Sequence, residues 1–154
     1  MQKVSPACLK SLLFPVRSNQ QEEAMPKFEI VDPWNLVDRY TFSPAVKRDN
    51  MLFISGMIAR DPATGRIMGK GDIVAQADFI FQQMGVILRA AGGSYDDLVK
   101  TTDYVTTLEG YRGTAEVRRK YFKNGFPAAT GVVVKSLVNP EALIEIDAIA
   151  IVEK

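Results

Sequence analysis

Histidine is absent from this 154-residue chain, and cysteine occurs once, as Cys8. Without histidine there are no Ser–His or Cys–His nucleophile pairs. A zinc or non-haem iron site also loses its commonest ligand, so a metal is not expected. Acid–base work then falls to Asp, Glu, Lys, Tyr or bound water. A lone cysteine forms no intrachain disulfide, which fits a reducing compartment and a cytoplasmic location. Charge of one sign is not in excess either: the formal net charge is +1, so a nucleic-acid partner held by a basic face is not expected. No apolar run reaches the ~20 residues of a membrane helix, so no membrane partner is expected.

What is there suits one globular domain. A chain of this length buries roughly 70% of its unfolded surface, enough for a single core. The first 25 residues differ from the rest. They carry two Lys and one Arg with no acid before Glu22, and their apolar run Leu12-Leu13-Phe14 is broken by Pro15. That run is too short for a secretory core. An organelle-targeting peptide and a disordered extension are both compatible with the stretch. We read residues 1–25 as a disordered extension and 26–154 as one domain, with Met25 as an alternative start.

The periodicities predict an α+β order. Lys27–Val31 alternates like an edge strand, Asp32–Arg39 reads as loop, and Ser43–Lys47 reads as a strand. Arg48-Asp49-Asn50 signals a turn. Met51–Ile58 is an apolar strand interrupted by Gly56, which suggests a bulge or a close backbone approach. A turn at Asp61–Gly65 precedes a short return strand from Arg66 to Met68. Asp72 is placed to cap a helix from Ile73 to Ala91, whose apolar residues recur every three or four positions before Gly92-Gly93 stops it. A strand from Leu98 to Thr106, a helix from Leu108 to Phe122, and strands at Thr130–Lys135 and Ala142–Val152 follow. Glu145 and Asp147 share one face of the last strand. Two such helices cover one face of a mixed sheet. The apolar remainder of the other face is expected to be an interface of a closed oligomer.

Several segments in order resemble the reactive-intermediate deaminase (YjgF/RidA) family. They are Phe42-Ser43-Pro44-Ala45-Val46, Asn50 to Gly56, Asp61 to Gly65, Gly71-Asp72-Ile73, Asp97 to Thr102, Phe126-Pro127-Ala128, and Ala142 to Ala150. Their spacing covers roughly Thr41 to Val152. The resemblance implies a chorismate-mutase-like α+β fold and a homotrimer with small-molecule clefts between subunits. It also implies cofactor-free hydrolysis of reactive enamines and imines to ketones and ammonia. Residue by residue, Glu145 falls on the family's water-positioning glutamate, and Ser55-Gly56 on a backbone that lines the cleft. The arginine that grips the substrate carboxylate in deaminating members falls on Ala129, within Pro127-Ala128-Ala129-Thr130. Losing such a charge-assisted contact costs about 1.5–3 kcal/mol per hydrogen bond. The family tyrosine falls on Phe42, and an asparagine of the second helix on Ala115.

Glu145 is accordingly the candidate catalytic residue, with Phe42, Ser55, Gly56, Phe126, Ala129 and Thr130 as candidate substrate-binding residues. Each has an ordinary alternative. Glu145 could face solvent or pair with Lys100, and Gly56 could serve only the bulge. Asp103 shares a strand face with Thr101 and Val105, where an apolar residue would be natural. It reads either as a hydrogen-bonded acid at a subunit contact or as a relocated acid or base. Arg60, Arg118 and Arg119 are candidates to replace the lost anion clamp. The functional expectation is a hydrolase of an imine, enamine or related intermediate with altered specificity. The alternatives are a non-catalytic metabolite-binding trimer and, least favoured by charge and the missing histidine, a ribonuclease.

Overall fold

In the computed structural model, residues 27–153 are described; the reading of residues 1–25 as an extension lies outside them. Six strands form one mixed sheet: β1 (Glu29–Val31), β2 (Ala45–Arg48), β3 (Met51–Met57), β4 (Leu98–Val105), β5 (Ala128–Val133) and β6 (Ile144–Ile151). Their order across the sheet is β1-β2-β3-β6-β4-β5. All neighbours are antiparallel except β4 and β5, which run parallel. A parallel pair needs a crossover, and the chain supplies it through helix α2 (Thr114–Tyr121).

The longer helix, α1 (Ile73–Ala90), forms as its periodicity predicts. The Asp72 carboxylate accepts from the backbone N–H groups of Val74 and Ala75 at 2.9 and 3.0 Å, satisfying donors the first turn leaves free. Ile73, Ala77, Ile80, Phe81, Met84, Ile87 and Leu88 are buried on one side. At the far end, Gly92 adopts φ +84°, and Gly93 N–H returns to the Leu88 carbonyl, closing the helix. Both helices lie on the sheet face that carries Leu52, Ile54, Val105, Ile144, Ile146 and Ala148. Fully burying a large aliphatic side chain contributes about 1.5–3 kcal/mol, so this layer holds the fold together.

The alternation on β6 is regular: Ile144, Ile146, Ala148 and Ala150 are buried, while Glu145, Asp147, Ile149 and Ile151 face away from the helices. The start of β6 is fixed by a buried glutamine of α1. Gln76 Nε2 donates to the Glu141 carbonyl at 2.9 Å, and its Oε1 accepts from Leu143 N–H at 2.8 Å. A helix side chain thus sets the position of the strand that carries Glu145.

Some expected boundaries move. The second helix begins at Thr114, not Leu108, because Gly110 takes φ +72° and a short 3-10 turn over Tyr111–Gly113 intervenes. β5 starts at Ala128, where pairing with β4 begins at Lys100. The return strand at Arg66–Met68 reduces to a single bridge between Ile67 and Arg60. Asp103 is neither a free acid nor in need of a neighbouring subunit for its partners. Its two oxygens accept from Arg118 Nη2 at 2.5 and 2.7 Å, and Oδ2 also accepts from the Tyr111 hydroxyl at 2.9 Å.

Candidate functional site

Two hollows meet at the start of β6. The larger, of about 660 Å³, is walled by Trp34, Tyr40, Phe42 and Ser55, with Arg39, Arg60, Asp61 and Glu145 contributing charge. The smaller, of about 330 Å³, is lined by Tyr104, Ser136 and Asp147 among others. Gly56, Val138 and Glu145 belong to both.

Glu145 reaches this junction through two features of the sheet. The pleat turns it to the face without helices, opposite the Ile144 and Ile146 that anchor the strand. The β3–β6 register then slips between Ile54 and Met57, which is the bulge expected at Gly56. A Cβ at Gly56 would lie 2.1 Å from Glu145 Oε1 and 3.0 Å from its Cδ. Glycine at this position therefore makes room for the carboxylate as well as serving the bulge. Among the described residues the Glu145 carboxylate accepts no hydrogen bond. The pairing with Lys100 considered from sequence does not form, because Lys100 Nζ donates to Thr130 Oγ1 at 2.5 Å. Burial, and then the Asp147 carboxylate two residues on, raise the Glu145 carboxyl above the usual glutamate range. Asp147 itself accepts from the Tyr104 hydroxyl at 2.9 Å.

Ser55 is held by the neighbouring segment. Its hydroxyl donates to the Ser43 carbonyl at 2.7 Å, and its N–H to the Pro44 carbonyl at 3.0 Å. Phe42 stacks on Tyr40 with centroids 5.4 Å apart and is 54% exposed towards the cleft mouth. The structure thus brings together Phe42, Ser55, Gly56 and Glu145 within one subunit. It does not bring Phe126, Ala129 or Thr130 to them. All of β5 is exposed, and Ala129 pairs with Thr101, whose side chain points to the helix face, opposite Glu145. Of the arginines proposed to replace the lost clamp, Arg118 is bound to Asp103, and Arg119 is paired with Glu116. Arg60 alone of these three lines the cleft. Sequence reasoning missed Trp34 and Tyr40. The visible signal was three aromatic residues, at 34, 40 and 42, within nine positions of a segment read largely as loop.

No described helix is long and apolar enough to cross a membrane. The family model described as endoribonuclease L-PSP matches residues 36–152. A RutC family protein of Pyrococcus horikoshii is 41% identical over 109 residues, covering 71% of this chain and 85% of that protein. The human 2-iminobutanoate/2-iminopropanoate deaminase is 36% identical over 110 residues, covering 71% of this chain and 79% of the human protein. Among solved structures, the Rid-family protein YyfA of Yersinia pestis superposes with a TM-score of 0.74 at 30% identity, covering 81% of this chain and 99% of that one. RidA from an Antarctic Psychrobacter superposes at 0.68 with 33% identity, covering 73% and 89% respectively. With three-quarters of its length matched by the family model and its sheet and helices shared with these structures, the chain belongs to the YjgF/RidA family.

Proposed function

We propose that this protein is a cofactor-free hydrolase of an imine or enamine, with Glu145 positioning the attacking water. The observation that carries this reading is the half-buried Glu145 carboxylate, without a hydrogen-bond partner among the described residues, at the junction of two hollows. An imine carbon is already electrophilic, so the protein needs chiefly to hold the substrate and orient water. Glu145 accepts a proton from that water as its oxygen bonds to the imine carbon. The same proton passes to nitrogen to give a carbinolamine. Glu145 then moves the carbinolamine hydroxyl proton to nitrogen as the C–N bond breaks, and the products are a ketone and ammonia. An enamine enters after tautomerising to the imine. The raised pKa of Glu145 brings it closer to the value at which one group both takes and returns a proton near neutrality. The relatives named as 2-iminobutanoate/2-iminopropanoate deaminases support the reaction class.

The substrate specificity is altered in this proposal. Ala129 offers only a methyl group where a carboxylate clamp is expected, and the cleft walls are aromatic. The protein acts as a homotrimer, in which the exposed β5 of a neighbouring subunit brings Phe126, Ala129 and Thr130 to the cleft. Ammonia release from enzymatically generated 2-iminopropanoate and from a 2-aminomuconate-like enamine tests the reading, each compared with Glu145→Gln. Release from the larger planar enamine, falling about 10²–10⁴-fold in the variant, is expected. No release from any member of such a panel would overturn it. The methyl group of Ala129 also favours a second reading, a metabolite-binding trimer without turnover. Ligand-dependent thermal stabilisation with no product formed would establish that instead.

A further inference from the structure

The larger cleft contains a cation that water positioning at Glu145 does not use. Arg60 Nη1 donates to the Tyr40 hydroxyl at 3.0 Å, and its Cζ lies 5.8 Å from the centroid of the Tyr40 ring. Its Nε is buried and has no hydrogen-bond partner among the described residues. No described carboxylate forms an ion pair with it. Asp61, next in the chain, is occupied: its Oδ1 accepts from the N–H groups of Ala63 and Thr64 at 2.8 and 3.2 Å. Buried donors are rarely left without an acceptor, and those that are call for an explanation.

The geometry of the guanidinium supplies one. The bond to Tyr40 uses Nη1 and leaves the Nε–Nη2 edge, which can grip a carboxylate through two parallel hydrogen bonds. Tyr40 and Phe42 are stacked beside it, and Trp34 lines the same cleft. Resting on the reading of this cleft as the substrate site, we propose that Arg60 is its anion-binding residue, holding the carboxylate of a planar, unsaturated substrate beside Trp34, Tyr40 and Phe42. Nε is shielded from solvent, so the guanidinium turns towards the cleft as the carboxylate docks. The clamp comes from the subunit that carries Glu145, on the segment following β3, and not from the edge strand that carries Ala129.

Trp34 is the only tryptophan in the chain, so its fluorescence reports on this cleft directly. Benzoate and its neutral isostere benzamide are titrated into the full-length protein and its variants. Benzoate is expected to bind at least about tenfold more tightly than benzamide, consistent with a charge-assisted pair. Arg60→Met abolishes that preference, Arg60→Lys keeps part of it, and Glu145→Gln, which removes a like charge from the same cleft, does not weaken it. Equal binding of the two ligands, or no saturable binding of either at millimolar concentration, overturns the proposal. So does a preference that survives Arg60→Met, or one lost in Arg39→Met, which changes the other arginine lining the cleft. Should Arg60→Met fail to fold, Arg60→Gln and Arg60→Lys carry the comparison. A benzoate preference without turnover removes the hydrolase reading and leaves the clamp. Turnover without the preference removes the clamp alone.

Discussion

Arg118 and Arg60 occupy opposite situations in the same subunit. Arg118 donates to both oxygens of Asp103 and to Thr101 Oγ1 at 3.1 Å, and its Cζ lies 5.5 Å from the Phe81 ring centroid. Tyr111 completes the coordination of Asp103. The Arg60 side chain makes one hydrogen bond among the described residues, keeps a buried nitrogen without a partner among them, and opens onto a cleft shared with the Glu145 carboxylate. A satisfied polar cluster has nothing left with which to recognise a ligand. Its contribution is to a single, well-defined packing of α2 against β4. Buried polar groups left unpaired cost stability, and such groups cluster at functional sites.

The comparison is broken most severely at the satisfied end. Asp103→Ala leaves the Arg118 guanidinium, only 15% exposed, without its counter-charge. Breaking one partner of a buried pair costs about 3–5 kcal/mol, so denaturant unfolding should show a loss of that order. A loss below about 1 kcal/mol would mean that the cluster is not structural.

At the unsatisfied end, Glu145→Gln should leave the fold intact while turnover falls as given above. The linkage has a definite sign. The folded state binds the Glu145 proton more tightly than the unfolded state does, so ionising this carboxyl removes stability as pH rises from the ordinary glutamate value through the raised one. The glutamine variant lacks that loss. Its thermal midpoint, relative to the parent, should therefore be slightly higher at neutral pH than at pH 4. The reverse trend would contradict the assigned burial.

Gly56→Ala sharpens the comparison further. The added methyl group meets the mobile end of Glu145, at 2.1 Å from Oε1, so the side chain can swing away at little cost to the fold. Displacement of about 1 Å at a reacting group lowers rate on the order of 10²-fold, and turnover should fall by that order with circular dichroism unchanged. The smallest effect belongs to Asp147→Asn. Removing the nearby negative charge takes away the lesser of the two causes that raise the Glu145 pKa. The acid limb of the turnover profile should move to lower pH by a fraction of a unit; movement to higher pH would mean that Asp147 does not act through Glu145.

Much of the scaffold was legible because local rules decided it. The 3.6-residue spacing of Ile73 to Leu88, the Asp72 cap and the glycines after the helix acted together, and α1 formed where they indicate. Alternation on β6 placed Glu145 and Asp147 on one face, and the isolated Gly56 in an apolar strand marked the bulge. The start of α2 was less legible, since the residues around Gly110 have no periodic signature of a 3-10 turn. The site was legible only in part. Glu145, Gly56, Ser55 and Phe42 share the cleft, but no local pattern indicates that Tyr40 holds Arg60, or that Gln76 fixes the start of β6 from across the domain.

The sequence by itself determined the α+β class, the amphipathic α1, the alternation of β6 and the family pattern, because each depends on residues within a few positions of one another. It also excluded histidine chemistry outright. Tertiary structure decided which charges are satisfied: Asp103 finds Arg118 across 15 residues of chain, while Arg60 meets Tyr40 across 20 and keeps one nitrogen without a partner among the described residues. Hydrogen-bond partners far apart in the chain are selected by sheet register and helix docking, and neither is encoded in any short stretch of sequence.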